Sequence, residues 1–125
     1  MAKYRWSLVG CGDVARRRVA RAIQQQPESE LLIGCRRDPA ALASFCEEYG
    51  VPRSVTDADE AIHDPNVNTV YIATPVGCHH QQAIAAAEAG KHVLLEKPMA
   101  RTVEECDAII AACRSAGVTL GIAYY

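Results

Sequence analysis

Short apolar runs and helix-like segments alternate along almost the whole of this chain. The apolar runs are continuous rather than alternating in polarity, as in strands that are buried on both faces of a sheet. Strands that are connected through helices pair in parallel, with right-handed crossovers. The alternation therefore predicts an α/β fold: a doubly wound parallel sheet of about six strands, with helices on both faces.

The boundaries of these elements follow from local signals. We predict strands at residues 4–10, 30–35, 53–56, 67–73, 92–96 and 118–123, and helices at 13–26, 39–49, 57–64, 79–90 and 103–117. Asp38 precedes a proline and is expected to cap the second helix, which Gly50 ends. The spacings Asp57 to Glu60 and Thr102 to Glu105 predict capping boxes at two further helix starts.

The length and the charge limit what such a sheet is used for. A chain of 125 residues with 50% hydrophobic residues is expected to form one domain, residues 1–125, with a sizeable core. The net charge of -2 argues against a nucleic-acid partner. Lys and Arg exceed Asp and Glu by three in residues 1–53, whereas residues 54–125 carry a net charge of -5. This asymmetry predicts that an anion binds to the first half of the chain.

The chain shows neither a secretory signal nor an apolar run of the roughly 18–20 residues that span a membrane, so we expect no membrane association and a cytoplasmic location. Its six cysteines lack a Cys-x-x-Cys pair and zinc-type spacing, which predicts buried thiols in a reducing compartment and no metal site. Cys11 and Cys78 fall in predicted loops, and whether they are reactive thiols stays open.

The segment between the first strand and the first helix reads GCGDVA, a Gly-x-Gly-x-x-Ala pattern. Gly10 permits a tight turn, Gly12 leaves room for a pyrophosphate against the backbone, and Ala15 allows close packing of helix and strand. The alternative is a tight turn without a ligand, but the position after a strand and before a helix favours a dinucleotide on the helix N-terminus. The predicted cofactor-binding residues here are Gly10, Cys11, Gly12, Asp13, Val14 and Ala15.

Two arginines follow the second strand. Binders of NAD carry an acidic residue about 20 residues after the glycines, where it takes the ribose hydroxyls. Arg36 occupies that position in this chain and Arg37 follows it. A guanidinium binds a 2′-phosphate that an acid would repel, so the pair favours NADP, with NAD as the alternative. The other reading is that both arginines are solvated loop residues.

Two more groups of residues follow the fourth and fifth strands, whose carboxyl ends border the ligand crevice of a doubly wound sheet. Ala73, Thr74 and Pro75 are expected to line the nicotinamide side of the crevice. The histidines at the start of the next helix are more often packing or capping residues. Glu96, Lys97 and Pro98 end the fifth strand, so they face the same crevice.

Taken together, the Gly-x-Gly-x-x-Ala pattern, the ATP…H segment and GKHVLLEKPMA resemble the glucose–fructose oxidoreductase, inositol dehydrogenase and MocA (Gfo/Idh/MocA) family, from about residue 4 to residue 125. The resemblance implies a Rossmann fold and an NAD(P)-dependent oxidoreductase of sugars, polyols or related hydroxy compounds. It also implies a second, C-terminal domain that supplies most of the substrate pocket, and a homo-oligomer for the full-length enzyme.

The resemblance also implies roles for single residues. Lys97 matches the lysine that assists proton transfer at the reacting hydroxyl and reaches the nicotinamide, and Glu96 would contact the nicotinamide ribose. Pro98 would shape the turn, and His79 matches the histidine that follows the Thr-Pro loop at the cofactor. Val76 stands where the family often has asparagine, which puts one polar contact to the cofactor in doubt.

The length departs from the family pattern, since related chains continue for some 200 residues or more. We therefore expect the nucleotide-binding domain alone, without the substrate domain, and little or no turnover by this chain. Two alternatives stay open: a stand-alone dinucleotide-binding or sensing module without catalysis, and a fragment of an NAD-using glycosidase of the same family.

Overall fold

A computed structural model describes residues 2–12 and 18–124. The strands are β1 (Tyr4–Val9), β2 (Ser29–Cys35), β3 (Arg53–Val55), β4 (Thr69–Ile72), β5 (His92–Glu96) and β6 (Leu120–Ala123). The helices are α1 (Ala20–Gln25), α2 (Pro39–Tyr49), α3 (Ala58–His63), α4 (His79–Glu88) and α5 (Val103–Ala116), and a 3₁₀ turn (Val76–Cys78) precedes α4. The predicted alternation of strands and helices is confirmed.

The six strands form one sheet in the order β3-β2-β1-β4-β5-β6, and every neighbouring pair is parallel. The chain moves outward in one direction from β1 to β3 and then restarts at β4 on the other side of β1. Because the crossovers are right-handed, this reversal puts α1 and α2 on one face of the sheet and the other three helices on the opposite face. Two separate apolar cores reflect this arrangement. The predicted doubly wound Rossmann sheet is therefore confirmed.

Local differences from the predicted boundaries have physical causes. The predicted fourth strand begins two residues too early, because the backbone N–H of Val67 donates to Asp64 O in a turn and the side chain of Asn68 accepts from Arg5 N. Asp38 caps α2 as predicted, through bonds from the N–H groups of Ala40 and Ala41. The predicted first helix is described only from residue 18 onward, so its first five residues, 13–17, lie outside the described part of the chain.

Lys91 stabilises the edge of the sheet at which the strands begin. Its ammonium group is buried and donates to the carbonyls of Asp64 and Val67. Burial lowers the pKa of Lys91, although the Asp64 carboxylate acts in the other direction. Asp64 also pairs with Arg53, so one polar cluster ties β3, the turn before β4 and the start of β5 together. This polar cluster lies at the amino ends of the strands, away from their carboxyl ends.

No helix among the described residues has the length and apolar character needed to cross a bilayer.

Candidate dinucleotide-binding site

A cleft of about 670 Å³ opens at the carboxyl edge of the sheet, at the point where the strand order reverses between β1 and β4. Doubly wound sheets bind their ligands at this switch point. Residues that follow β1, β2, β3 and β4 contribute to it, together with the first turns of α3 and α4. The cleft is lined by Val9, Gly10, Cys11, Gly12, Cys35, Arg36, Arg37, Asp38, Thr56, Asp57, Ala58, Ala73, Thr74, Pro75, Cys78 and Gln82.

The glycine turn after β1 forms the floor of this cleft. Gly10 has a φ of 91°, and a Cβ built on it would lie 2.8 Å from the backbone of Ala73 and Thr74. Gly12 differs, because a Cβ there would meet no described heavy atom within 4 Å and the residue is exposed. Gly10 is therefore required by the fold, whereas Gly12 leaves open space above the loop, as the approach of a pyrophosphate to the backbone requires.

Three other predicted residues of the glycine loop, Asp13, Val14 and Ala15, lie outside the residues that the structure describes. Their proposed contacts with the cofactor stay predictions.

Arg36 and Arg37, which follow β2, both line the cleft. Nη1 of Arg36 donates to the carbonyl oxygen of Cys11 over 3.3 Å, and the side chain is half-buried. Arg37 is exposed. Asp38, also in the cleft, uses its Oδ1 to cap α2, which leaves it a structural role. Two guanidinium groups thus follow the carboxyl end of β2 at the cleft.

The loop after β4 forms the side wall of the cleft. Ala73, Thr74 and Pro75 all line it, as predicted. The hydroxyl of Thr74 donates to Oε1 of Gln82 over 2.6 Å, so α4 holds this loop in place. Gln82, one turn into α4, also lines the cleft and was not predicted as a site residue.

The cleft also includes Thr56 and Asp57, which follow β3 and were not predicted as site residues. Their signal was present in the sequence, because the rule that ligands lie beyond the carboxyl ends of parallel strands applies to every strand.

Glu96, Lys97 and Pro98, at the end of β5, are not among the residues that line the cleft. Glu96 is half-buried, and its Oε2 accepts a hydrogen bond from the hydroxyl of Tyr71 over 2.8 Å. Lys97 and Pro98 are exposed at the same edge of the sheet and are joined by a cis peptide bond. His79 is buried, with 1% of its surface exposed. The predicted roles of these four residues toward a cofactor stay predictions.

The thiols of Cys11 and Cys35 lie beside the glycine loop and are unreactive. Cys11 is fully buried, and its Sγ lies 3.5 Å from the carbonyl of Leu8. Burial raises the pKa of Cys11 to about 12 and that of Cys35 to about 11. Because the thiolate is the nucleophile, neither residue is a reactive thiol at neutral pH. This settles the open question for Cys11, whose loop position alone did not reveal its burial.

Cys78 is the exposed cysteine of the cleft. We expect a thiol reagent such as 5,5′-dithiobis(2-nitrobenzoate) to modify Cys78 first in the native chain, because Cys106 is only partly exposed and the other four thiols are buried. Saturating NADPH should slow this reaction several-fold, since the bound cofactor would cover the cleft. Cys78→Ser should remove the fast phase and Cys106→Ser should keep it. A fast phase that NADPH leaves unchanged would argue against binding in this cleft.

Among residues 2–12 and 18–124, no three His, Cys, Asp or Glu side chains are grouped as a metal site would require.

Comparison with known proteins agrees with this geometry. Residues 4–124 match the model of an oxidoreductase family with an NAD-binding Rossmann fold. The chain is 39% identical over 117 residues to 1,5-anhydro-D-fructose reductase of Ensifer adhaerens, an alignment that covers 94% of this chain and 35% of the relative.

Solved structures give the same picture. The WlbA dehydrogenase of Bordetella pertussis, crystallised with NADH and UDP-GlcNAcA, superimposes with a TM-score of 0.86 at 36% identity, over 98% of this chain and 35% of that one. Biliverdin reductase of Synechocystis, crystallised with biliverdin and NADP+, has a TM-score of 0.88 at 34% identity, over 94% and 37% of the two chains. The chain thus spans about a third of the length of these proteins.

Proposed function

This chain belongs to the Gfo/Idh/MocA family of oxidoreductases, and from that premise we propose that it is the nucleotide-binding part of an NADP-preferring enzyme that acts on a sugar, a polyol or a related hydroxy or carbonyl compound. The observation that carries the proposal is the cleft at the strand-order reversal, which is lined by Gly10 and Gly12 after β1 and by Arg36 and Arg37 after β2. The relative that reduces 1,5-anhydro-D-fructose supports the sugar class.

The residues of the cleft fit a dinucleotide. The open space above Gly12 leaves a peptide backbone accessible to phosphate oxygens. Arg36 and Arg37 add two positive charges at the end of β2, where the adenosine ribose lies in folds of this type. We propose that Thr74 and Pro75 border the nicotinamide, because they follow β4 on the other side of the switch point.

The preference for NADP rests on the side chain of Arg36. Its hydrogen bond to the carbonyl of Cys11 holds the guanidinium against the glycine loop, which reduces the entropy lost when it binds a phosphate. A guanidinium presents several N–H donors in a fixed plane, so it binds a 2′-phosphate by paired, charge-assisted bonds. The known structures include both NADH and NADP complexes, so the family alone leaves the choice open.

The bound nicotinamide would supply hydride transfer to or from a substrate carbon. We propose that Lys97 moves a proton on or off the oxygen of that carbon, as a general acid or base. Lys97 is exposed beyond β5, at the same edge of the sheet as the cleft, and a substrate from the solvent side can reach it. Glu96 ends β5 beside it, and the Tyr71 hydroxyl orients its carboxylate.

Binding is the direct test of this proposal. We expect NADPH to raise the melting temperature of the purified chain and to show enhanced fluorescence on titration, because a ligand that binds only the folded state stabilises it. The free energy of unfolding rises by about 2.7 kcal/mol at a ligand concentration of about 100 times Kd. Inorganic pyrophosphate at equal ionic strength serves as the control for a general anion effect and should have a much smaller effect. If neither NADPH nor NADH shifts the melting temperature at millimolar concentration, the proposed function is wrong.

We expect negligible turnover by the 125-residue chain alone. Its cleft offers a site for the nucleotide, and the chain spans about a third of the length of its relatives. NADP reduction that depends on an added sugar, measured at 340 nm with the purified chain, would contradict this expectation.

A further inference from the structure

His79 lies between the two loops that end β4 and β5. It is the first residue of α4, and only 1% of its surface is exposed, whereas its neighbours Cys78 and His80 are exposed and half-exposed. His79 is not among the residues that line the cleft, but its ring contacts groups on two neighbouring loops. Those contacts are a route by which His79 acts on the site.

Both ring nitrogens of His79 face backbone carbonyl oxygens. Nε2 lies 2.8 Å from the carbonyl oxygen of Thr74. Nδ1 lies 3.0 Å from that of Pro98 and 3.3 Å from that of Met99. One side of the ring thus contacts the loop after β4, and the other contacts the turn that carries Lys97.

Carbonyl oxygens only accept hydrogen bonds, and a neutral imidazole has one donor nitrogen and one acceptor nitrogen. A neutral ring would point a lone pair at a carbonyl oxygen on one of its two sides. Rotating the ring by half a turn would place carbon atoms against the same oxygens and lose the bonds. The ring satisfies both sides only when each nitrogen carries a proton.

We infer that His79 is an imidazolium and a positioning residue, whose two N–H groups join Thr74 to Pro98 and Met99 and so fix the loop of the cofactor cleft relative to Lys97. The part concerning cofactor affinity rests on the proposed function. A buried charge is costly unless it is hydrogen-bonded, and three carbonyl oxygens meet that need here. The N-terminus of α4 opposes the charge, because the positive end of the helix dipole lies there.

Thr74 is held twice by the same helix, which strengthens the inference. His79 binds its carbonyl oxygen and Gln82, three residues later, accepts from its hydroxyl. The loop after β4 is therefore seated on α4 by two side chains. The turn after β5 is bound to α4 through the other nitrogen of the His79 ring, so this one ring joins the loop after β4 to the turn that carries Lys97.

The protonation of His79 can be read directly by nitrogen NMR of the ¹⁵N-labelled chain near neutral pH. Long-range ¹H–¹⁵N spectra should show both ring nitrogens of His79 as protonated, and His79→Gln should assign these signals by removing them. A neutral ring would show one protonated nitrogen and one nitrogen with a free lone pair, and that result would overturn the imidazolium. This measurement needs no cofactor, so it stands even if the proposed function fails.

The positioning role is tested by His79→Gln against His80→Gln as the matched control. A glutamine amide donates from one atom only, so it cannot hold both loops. We expect His79→Gln to shift the amide resonances of Thr74, Lys97 and Met99 and to weaken NADPH binding about tenfold, the effect of one lost hydrogen bond of typical strength. His80→Gln should do neither.

Unchanged amide resonances at both loops and unchanged affinity in folded His79→Gln would overturn the positioning role. If NADPH fails to bind the unaltered chain, the resonance shifts alone decide it. If His79→Gln does not fold, His79→Asn, with a shorter amide side chain, is the second variant.

Discussion

Gly10→Ala is expected to destabilise the chain by about 3 kcal/mol or more, whereas Gly12→Ala should change its stability by about 0.5 kcal/mol at most. At Gly10 the new Cβ would lie 2.8 Å from backbone atoms of Ala73 and Thr74, in a conformation with a φ of 91° that side chains rarely adopt. The backbone has little freedom to move away, because Ala73 N donates to Val9 O over 2.8 Å and β1 pairs with β4. Urea denaturation of both variants measures the two free energies of unfolding.

The same two variants separate folding from binding. Gly12→Ala should stay folded and lose NADPH affinity by about tenfold or more, because its methyl group would occupy the open space where the pyrophosphate is proposed to lie. Titration of NADPH into the folded variant measures this. If Gly12→Ala binds NADPH as well as the unaltered chain, the phosphates do not lie over this loop. A stable Gly10→Ala would show that the turn is less constrained than the sheet contacts require.

The sheet and the cleft were predictable because they follow from local patterns. Continuous apolar runs, helix periodicity and one Gly-x-Gly turn are enough to require parallel strands with a reversal, and the reversal fixes where the cleft opens. The Asp38 cap and the arginine pair after β2 could be read in the same way, since each depends on the few residues around it.

The contacts that join distant segments were not predictable from the sequence. The ring of His79 is hydrogen-bonded to the carbonyl oxygens of Pro98 and Met99, 19 and 20 positions further along the chain, and no local pattern indicates these contacts. Glu96 is bound to Tyr71, on the neighbouring strand, which no local pattern reports. Cys11 lies in a loop, but its burial depends on how that loop folds against the end of β2, where Cys35 O accepts from Cys11 N.

Arg36→Asp is expected to reverse the cofactor preference, lowering the affinity for NADPH relative to NADH by about 10- to 100-fold. A charge-assisted hydrogen bond contributes about 1.5–3 kcal/mol, and an aspartate at this position would both lose that bond and repel a 2′-phosphate. The same aspartate would accept hydrogen bonds from the ribose hydroxyls of NADH. Titration of each cofactor into the variant and the unaltered chain gives the ratio of dissociation constants.

Arg37→Asp is the matched control, because it makes the same change of charge one residue away on an exposed side chain. If the preference depended only on the net positive charge of this end of the cleft, both variants would shift the ratio equally, and the effect would fade with added salt. If Arg36 binds the 2′-phosphate, Arg36→Asp should shift the ratio of the NADPH and NADH dissociation constants far more than Arg37→Asp does. A ratio that moves only in Arg37→Asp would assign the phosphate to Arg37 and leave Arg36 as a support of the glycine loop, through its bond to Cys11 O.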